Sequence, residues 1–218
     1  MSTVEEKQTL EVVPARRLGR LGSALDWRLN RLQDEYLQRS STARAELAKL
    51  RRGLGKPAGS VPEIWDLTIA AVPASLCGQD RFDDGEPSVA EAAAHSVLTL
   101  FAAHQQSMLV RAHVPEVSFG RAVGILAQSE GRSAEAVTRR FMAVSTAQSI
   151  EEVLVHIRGL VTQLRSEKKG FDYARLADDL TGLLTPGRAQ RVRLAWGRDF
   201  YRTTTAAEPD SESEASEE

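Results

Sequence analysis

The sequence predicts an all-α protein, and three observations lead to this prediction. Only 6% of the residues are aromatic while 42% are hydrophobic. The core must therefore consist mainly of leucine, valine and alanine, which favour helices over sheets. Nearly every segment between breaks carries apolar residues at three- and four-residue spacing, and no stretch shows the two-residue alternation of a half-buried strand. We expect two helical-bundle subdomains.

The first part of the chain predicts three helices. Apolar spacing indicates a helix over 23–38 and a second helix over 42–52, after which Gly53 is a natural stop. A loop follows, and a short helix is then predicted over 62–72. Pro73 ends that helix, because proline removes a backbone donor and clashes with the preceding turn.

A long alanine-rich helix follows a polar loop. Ser88 and Glu91 form a capping box that opens this helix, which runs to about Gln106. Pro115 lies in the break that we take as the boundary between two subdomains. The predicted organisation is a flexible segment over 1–20, an N-terminal helical subdomain over 21–114, a C-terminal helical subdomain over 115–202 and a disordered acidic tail over 203–218.

The second half of the chain predicts five helices. The first two span 118–129 and 133–145, with Gly131 between them. Ser149 and Glu152 cap the third helix, which carries one continuous apolar stripe. The remaining two helices begin at the cap Asp172, with an end at about Leu184, and at Thr185–Pro186, where proline occupies the first turn.

Residues typical of catalysis or metal binding do not assemble into a known pattern. His95 and His104 are nine residues apart and so fall on opposite faces of one helix, while His113 and His156 lie elsewhere. There is no Gly-x-Ser-x-Gly turn and no phosphate-binding glycine loop. An acidic loop does not match the spacing of a calcium site; it contains Asp80, Asp83, Asp84 and Glu86. We therefore predict no enzymatic activity, no cofactor and no small-molecule substrate.

The sequence also predicts a soluble cytoplasmic protein. Cys77 is the only cysteine, so there is neither an intrachain disulfide nor a thiolate metal cluster. The N-terminus lacks a basic stretch followed by an apolar run, so no secretory signal is visible. The apolar stretches are far shorter than the roughly 18 residues of a membrane helix, and no membrane partner is expected.

Charge is distributed unevenly along the chain. Residues 208–218 carry six acids and no base, so the rest of the chain has 28 basic against 24 acidic residues, a net charge of +4. Of the basic residues, 23 are arginine and 5 are lysine. The planar guanidinium group suits phosphate well, which favours a nucleic-acid backbone as partner. A GC-rich genome would enrich arginine in the same way.

Helical wheels arrange many arginines in rows that face away from the apolar side. The last helix places four arginines in one sector of about 80°, opposite Trp196 and Phe200. Like charges at these spacings repel modestly, and a partner's phosphates would relieve the repulsion. The rows are Arg188, Arg191, Arg198 and Arg202; Arg139 with Arg140; Arg44 with Arg51, beside Lys49 and Arg52; and Arg158 with Arg165.

Three stretches resemble the CasB family, the small subunit of type I-E CRISPR Cascade complexes. The segment 171–202, FDYARLADDLTGLLTPGRAQRVRLAWGRDFYR, is similar to the C-terminus of that family. The segment 44–59, RAELAKLRRGLGKPAG, resembles its N-terminal Leu-Arg-Arg region. The segment 118–161 resembles its central region, SFGRAVGILAQSEGRSAEAVTRRFMAVSTAQSIEEVLVHIRGLV.

The resemblance implies a non-catalytic, all-α subunit with two helical subdomains. Two copies would assemble with the other Cascade subunits and the crRNA, and would help to hold the target DNA strand and the displaced single strand. Guide pairing supplies specificity, so backbone affinity suffices. By position, the basic residues of the family map to Arg51, Arg52, Arg121, Arg139, Arg140 and Arg158. The helical wheels add Arg44, Arg191 and Arg198 to the candidate nucleic-acid-binding set.

Two other interpretations remain open at this stage. The predicted helices 118–129 and 133–145 could form a helix-turn-helix of a transcription regulator, with the second as recognition helix. Against this, Arg139 and Arg140 lie in the middle of that helix, whereas base contacts usually come from its first turn. The third interpretation is a helical scaffold whose arginines only form salt bridges.

Overall fold

The structure, a computed structural model, describes residues 17–77 and 85–205. Over these residues every regular element is helical, apart from one isolated bridge between His113 and Phe171, so the predicted all-α fold is confirmed. The α-helices of the described residues are α1 (Arg20–Leu37), α2 (Ser41–Arg51), α3 (Val89–Gln105), α4 (Phe119–Ala127), α5 (Ala134–Thr146), α6 (Ile150–Ser166), α7 (Tyr173–Leu184) and α8 (Ala189–Thr205).

Side-chain caps start most of these helices where the sequence predicts. The capping box of α3 is complete: Ser88 Oγ accepts from the Glu91 N–H, and Glu91 Oε2 accepts from the Ser88 N–H at 2.8 Å. At α6, Ser149 caps the N–H of Glu152, but the carboxylate of Glu152 accepts from Gln148 rather than from Ser149. The other capping side chains are Ser40, Ser118, Ser133 and Asp172.

The prediction of an α-helix over 62–72 is wrong. The structure has a 3₁₀ turn at Pro62–Ile64, followed by turns and a second 3₁₀ turn at Ala74–Leu76. Val61, Ile64 and Leu67 are all buried. Their spacing of three residues suits the three-residue period of a 3₁₀ turn better than the 3.6-residue period of an α-helix.

Three helix ends also differ from the prediction. The last helix begins at Ala189 rather than at Thr185–Pro186, because Gly187 has φ +76°, a left-handed conformation that a helix does not continue through. It extends to Thr205, into the region expected to be disordered. The first helix begins at Arg20, because the carboxylate of Asp178 accepts from the N–H groups of Gly19 and Gly22 and so fixes that end.

Helix α7 packs against α1 and α3, while α4 packs against α5 and α8, and α6 packs against α3 and α5. Helices α1 and α7 approach closely, since a Cβ at Gly22 would lie only 2.4 Å from the carbonyl oxygen of Ala174. The division into two subdomains at Pro115 stays a prediction; helices from both sides of that point meet at α7.

Buried polar groups fix the segment between α3 and α4. Gln33 and the backbone of His113 exchange two hydrogen bonds: Gln33 Nε2 donates to the His113 carbonyl, and the His113 N–H donates to Gln33 Oε1 at 2.7 Å. The His113 ring lies between Asp26, 3.2 Å from its Nε2, and the N–H of Tyr173, 3.1 Å from its Nδ1. This histidine therefore joins α1 to α7.

A half-buried carboxyl group on α7, that of Asp179, contacts α8. Trp196 is fully buried, and its Nε1–H donates to Asp179 Oδ2 at 2.7 Å. Burial raises the pKa of Asp179 to about 6, although the Trp196 hydrogen bond and the nearby Arg175 act in the opposite direction. The folded protein thus holds a proton on Asp179 more tightly than the unfolded chain does.

This difference predicts a pH-dependent stability. Since the pKa of Asp179 is raised on folding, its contribution is most favourable below about pH 4 and is lost as the pH rises through about 6. We expect Asp179→Asn, whose side-chain oxygen can still accept from Trp196, to raise the free energy of unfolding at pH 7.5. The gain should shrink at pH 4.5 in urea titrations. An equal gain at both pH values would contradict the prediction.

Among the described residues, the helices do not combine the length and the hydropathy that a membrane crossing requires.

Candidate nucleic-acid interface

One class of arginine holds the fold together. Arg31 pairs with Glu35 and Glu46, and other ion pairs join Arg111 to Asp34, Arg132 to Glu167 and Arg175 to Asp199. Arg165 donates to the carbonyl of Ala103 and Arg193 to the carbonyl of Ala147. Arg165, which shares a helical row with Arg158, is therefore a structural residue.

A second class of arginine has no carboxylate partner in the part of the chain that the structure describes. Over the described residues, no carboxylate lies within 4 Å of eight of the nine arginines that the sequence predicts as nucleic-acid contacts. These eight are half-buried or exposed. They are Arg44, Arg51, Arg52, Arg121, Arg140, Arg158, Arg191 and Arg198.

Arg139 is the exception. Its Nη2 lies 2.6 Å from Glu135 Oε1, one turn earlier in α5, and the side chains are 75% and 82% exposed. An exposed pair of this kind contributes only about 0.2–1 kcal/mol. Arg139 therefore remains accessible to an anion, but a phosphate has to compete with Glu135 for it.

Arg158 links α6 to the loop that follows α2. A Cβ at Gly55 would lie 2.5 Å from one guanidinium nitrogen of Arg158 and 2.9 Å from the other. Gly55 also has φ +76°, a conformation that favours glycine. The loop thus offers a bare backbone surface on which the guanidinium group rests, three residues after Arg52.

Arg140 contacts α6 from α5. A Cβ at Gly159 would lie 3.1 Å from Arg140 Nη1, so the side chain of Arg140 packs on α6 at the residue that follows Arg158. Arg140 and Arg158 thus each lie against a glycine, and Arg51 and Arg52 end α2 directly before the loop that Arg158 contacts. We call this group the α2–α6 arginines: Arg51, Arg52, Arg140 and Arg158.

The loop beneath the α2–α6 arginines is anchored to α3. His95 is buried, and its Nε2 lies 3.1 Å from both carbonyl oxygens of Gly53 and Lys56, so Nε2 carries the proton. Burial lowers the pKa of His95, which keeps the ring neutral. A cavity of about 410 Å³ adjoins this loop, and its lining includes His95, Arg158, Glu86 and Glu151.

The second group of arginines lies on α8. Gly120 approaches the Trp196 carbonyl, Gly124 approaches that of Phe200, and Gln128 donates to that of Thr203 at 2.8 Å. The contacts advance together along both helices, so α4 and α8 run in parallel. Their close approach requires glycine, because a Cβ at Gly120 would lie 2.2 Å from the Trp196 oxygen.

This packing leaves the basic row of α8 exposed, as the helical wheel predicts. The row begins one residue before the helix, and its four members, the α8 arginines, are Arg188, Arg191, Arg198 and Arg202. Arg121 is exposed on α4, seven residues before Gln128 and on the same side as that contact with α8. Arg44 is exposed on α2, two turns before Arg51.

The histidines and the acidic loop were considered as metal ligands in the sequence, and only part of them lies within the described residues. Over residues 17–77 and 85–205, no group of three histidine, cysteine, aspartate or glutamate side chains could hold a metal ion. His104 is buried beside the hydroxyl of Tyr173, and burial lowers its pKa to about 3. Of the acidic loop, Asp80, Asp83 and Asp84 lie outside the described residues.

The first turn of α5 is acidic, which disfavours the helix-turn-helix interpretation. Glu135 is 82% exposed in that turn, between the exposed residues Ala134 and Ala136. A recognition helix presents its N-terminal residues to base edges, and a carboxylate there repels the phosphates on either side of the groove. Helix α4 is also mostly buried against its neighbours.

The grouping of the arginines was not predictable from the chain alone. Helical wheels identify exposed rows one helix at a time, so they found Arg51 and Arg158 separately. The signal for the contact between Arg158 and the loop after Arg51 is Gly55, which stands in the sequence GLGKPAG and has no catalytic or phosphate-loop pattern. Gly159, within a helix of otherwise ordinary composition, is the corresponding signal for Arg140.

The fold and the surface define an all-α protein in which two groups of arginines lack carboxylate partners among the described residues. Residues 46–201 match the family described as CRISPR-associated protein Cse2 (CRISPR_cse2). The chain belongs to this family, known also as CasB, and the resemblance found in its sequence is confirmed. No match is found among curated protein sequences.

Solved structures of the family have the same fold. CasB from Thermobifida fusca is 36% identical, with a TM-score of 0.70 over 85% of this chain and 99% of that chain. A CRISPR-associated protein of the Cse2 family from Thermus thermophilus is 24% identical, with a TM-score of 0.61 over 85% and 99%. A chain of a CRISPR RNA-guided surveillance complex is 21% identical, with a TM-score of 0.64 over 86% and 96%.

A substitution at Gly55 tests whether the position of Arg158 matters for binding. We expect Gly55→Ala to cost about 1–2 kcal/mol of stability from its positive φ, and also to displace the guanidinium group and weaken nucleic-acid retention. Gly131→Ala is the matched control: Gly131 has φ +73°, but its Cβ would meet no atom within 4 Å. Equal retention in both variants, measured at matched folded fractions, would contradict the prediction.

Proposed function

We propose that this protein is a non-catalytic small subunit of a type I-E CRISPR Cascade complex. In that complex it binds the nucleic-acid backbone without reading sequence, and it stabilises the target strand and the displaced strand of the R-loop. Its partners are the other Cascade subunits, the crRNA and a second copy of itself. Membership of the Cse2 family supports the assembly, and the arginines without carboxylate partners support the contact with nucleic acid.

The arrangement of the arginines is the observation that carries the proposal. The α2–α6 arginines come from three helices, and two of them rest on glycine backbone rather than on carboxylates. Guanidinium groups without carboxylate partners attract phosphate oxygens, with which they form charge-assisted hydrogen bonds. Contacts of this type fix a strand by its backbone and carry no base information.

The arginine surface of this protein differs from that expected of a helical scaffold. A scaffold would use its arginines in salt bridges, as Arg31, Arg132 and Arg175 do in this protein. Eight arginines are not used in this way among the described residues. A backbone-binding subunit also needs no specific base contact, because the guide RNA pairs with the target.

The test is the lifetime of the R-loop in a complex assembled with and without this protein. The complex that contains it should hold the displaced strand open longer, and the difference should decrease with added salt, because phosphate contacts release counterions. Equal lifetimes would contradict the proposal. Tight binding of the isolated protein to one duplex sequence would instead support the regulator.

A further inference from the structure

The α8 arginines form an exposed cationic row directly before the end of the described chain. Over the described residues, none of the four has a carboxylate within 4 Å, and all four are exposed. They recur at intervals of three, seven and four residues, so they lie along one side of the helix. The nearest acid on α8, Asp199, already pairs with Arg175. Within the described part of the chain, the row is therefore a line of positive charge that no carboxylate neutralises.

The chain itself carries an anion of matching size. Residues 206–218 follow α8 at once and contain six acids and no base: Glu208, Asp210, Glu212, Glu214, Glu217 and Glu218. Thirteen residues span at most about 45 Å when fully extended. Arg188 lies about 25 Å along the helix axis from Thr205, so this segment is long enough to fold back along the whole row.

We propose that residues 206–218 dock on the α8 arginines and compete there with nucleic-acid phosphates. Two observations support the docking: the negative charge of the segment complements the positive charge of the α8 arginines, and the segment follows α8 directly. The competition rests in addition on the proposed function. Since the segment is tethered to the end of α8, its effective concentration at the row is of millimolar order. A free strand at lower concentration is therefore excluded, whereas a strand that the complex holds nearby displaces the segment.

The row is a weaker site for a separate acidic protein than for this segment. An external partner pays the entropy of association, while the tethered segment loses only that of closing a short loop. The contact is electrostatic and exposed, so it exchanges readily and weakens with salt. It therefore lowers the affinity of the free protein for nucleic acid without blocking the row permanently.

The first experiment compares single-stranded DNA binding by the full chain and by a variant in which the six acids become Gln or Asn. At about 0.05 M salt, we expect the variant to bind at least about tenfold more tightly. The gain should disappear when all four α8 arginines are also changed to Gln. No gain, or an equal gain without the α8 arginines, would overturn the competition.

A second readout does not depend on nucleic acid. In NMR spectra of the full chain, neutralising the six acids should shift the signals of Arg191, Arg198 and Arg202, while those of Arg51 and Arg52 stay in place. Unchanged α8 signals would overturn the docking. If the α8 signals shift but neither chain binds DNA, the docking stands, and it is the proposed nucleic-acid function of the isolated chain that fails.

Discussion

We expect Trp196→Ala to lower the free energy of unfolding by about 3–5 kcal/mol, the usual cost of truncating a large buried aromatic side chain. Trp196 is fully buried, and its ring centroid lies 5.0 Å from that of Phe119 on α4. Truncation leaves a cavity between α4 and α8. It also removes the N–H that donates to Asp179, a half-buried carboxyl group that then has to find another donor.

The measurement is urea unfolding followed by far-UV circular dichroism, with Trp27→Ala as the control. Trp27 is 73% exposed on α1, and its ring lies 5.6 Å from the guanidinium carbon of Arg31, so its truncation should lower stability by at most about 1 kcal/mol. A loss below about 1 kcal/mol for Trp196→Ala would show that the α4–α8 pair does not depend on this ring, and it would contradict the packing described above.

The largest functional effect should come from the α2–α6 arginines. We expect that changing all four to glutamine will weaken retention of the displaced strand by roughly 10²–10³-fold at about 0.1 M salt. Each lost phosphate contact on a single strand removes about 0.7 from the slope of log affinity against log salt concentration. When the salt concentration is lowered from about 1 M to about 0.1 M, four such contacts strengthen binding by a factor within that range. Losing all four contacts should therefore decrease the slope of log affinity against log salt concentration by almost three.

The control removes the same charge from elsewhere on the surface. Arg17, Arg20, Arg39 and Lys168 are exposed and lie outside the predicted set. Changing these four to glutamine should alter the affinity far less, because only a long-range charge effect remains. If both quadruple variants lose affinity equally, the binding depends on net charge, and the α2–α6 arginines are not a site.

Helix starts were predictable because each depends on a few adjacent residues. Ser88 with Glu91, and Asp172, act as caps within one turn of the chain, and the structure has both. The prediction was wrong where neighbouring packing or backbone geometry decided the outcome. Residues 62–72 bury side chains at three-residue spacing, and Gly187 adopts a positive φ that delays the start of α8.

The candidate site was predictable in composition but not in arrangement. A helical wheel identifies Arg191 and Arg198 as exposed, because the opposite side of α8 must pack against α4. It cannot relate Arg158 to Arg52, which are far apart in the chain. The contact of Arg158 with the loop that follows Arg52 depends on the bare backbone of Gly55, and this follows only from the packing of α6 beside the loop after α2.

The most direct test of the central claim is affinity purification of the protein from its native host, followed by mass spectrometry and sequencing of the bound RNA. We predict recovery of the other Cascade subunits together with a mature guide RNA. Recovery of the protein alone, or together with promoter DNA, would contradict the assignment.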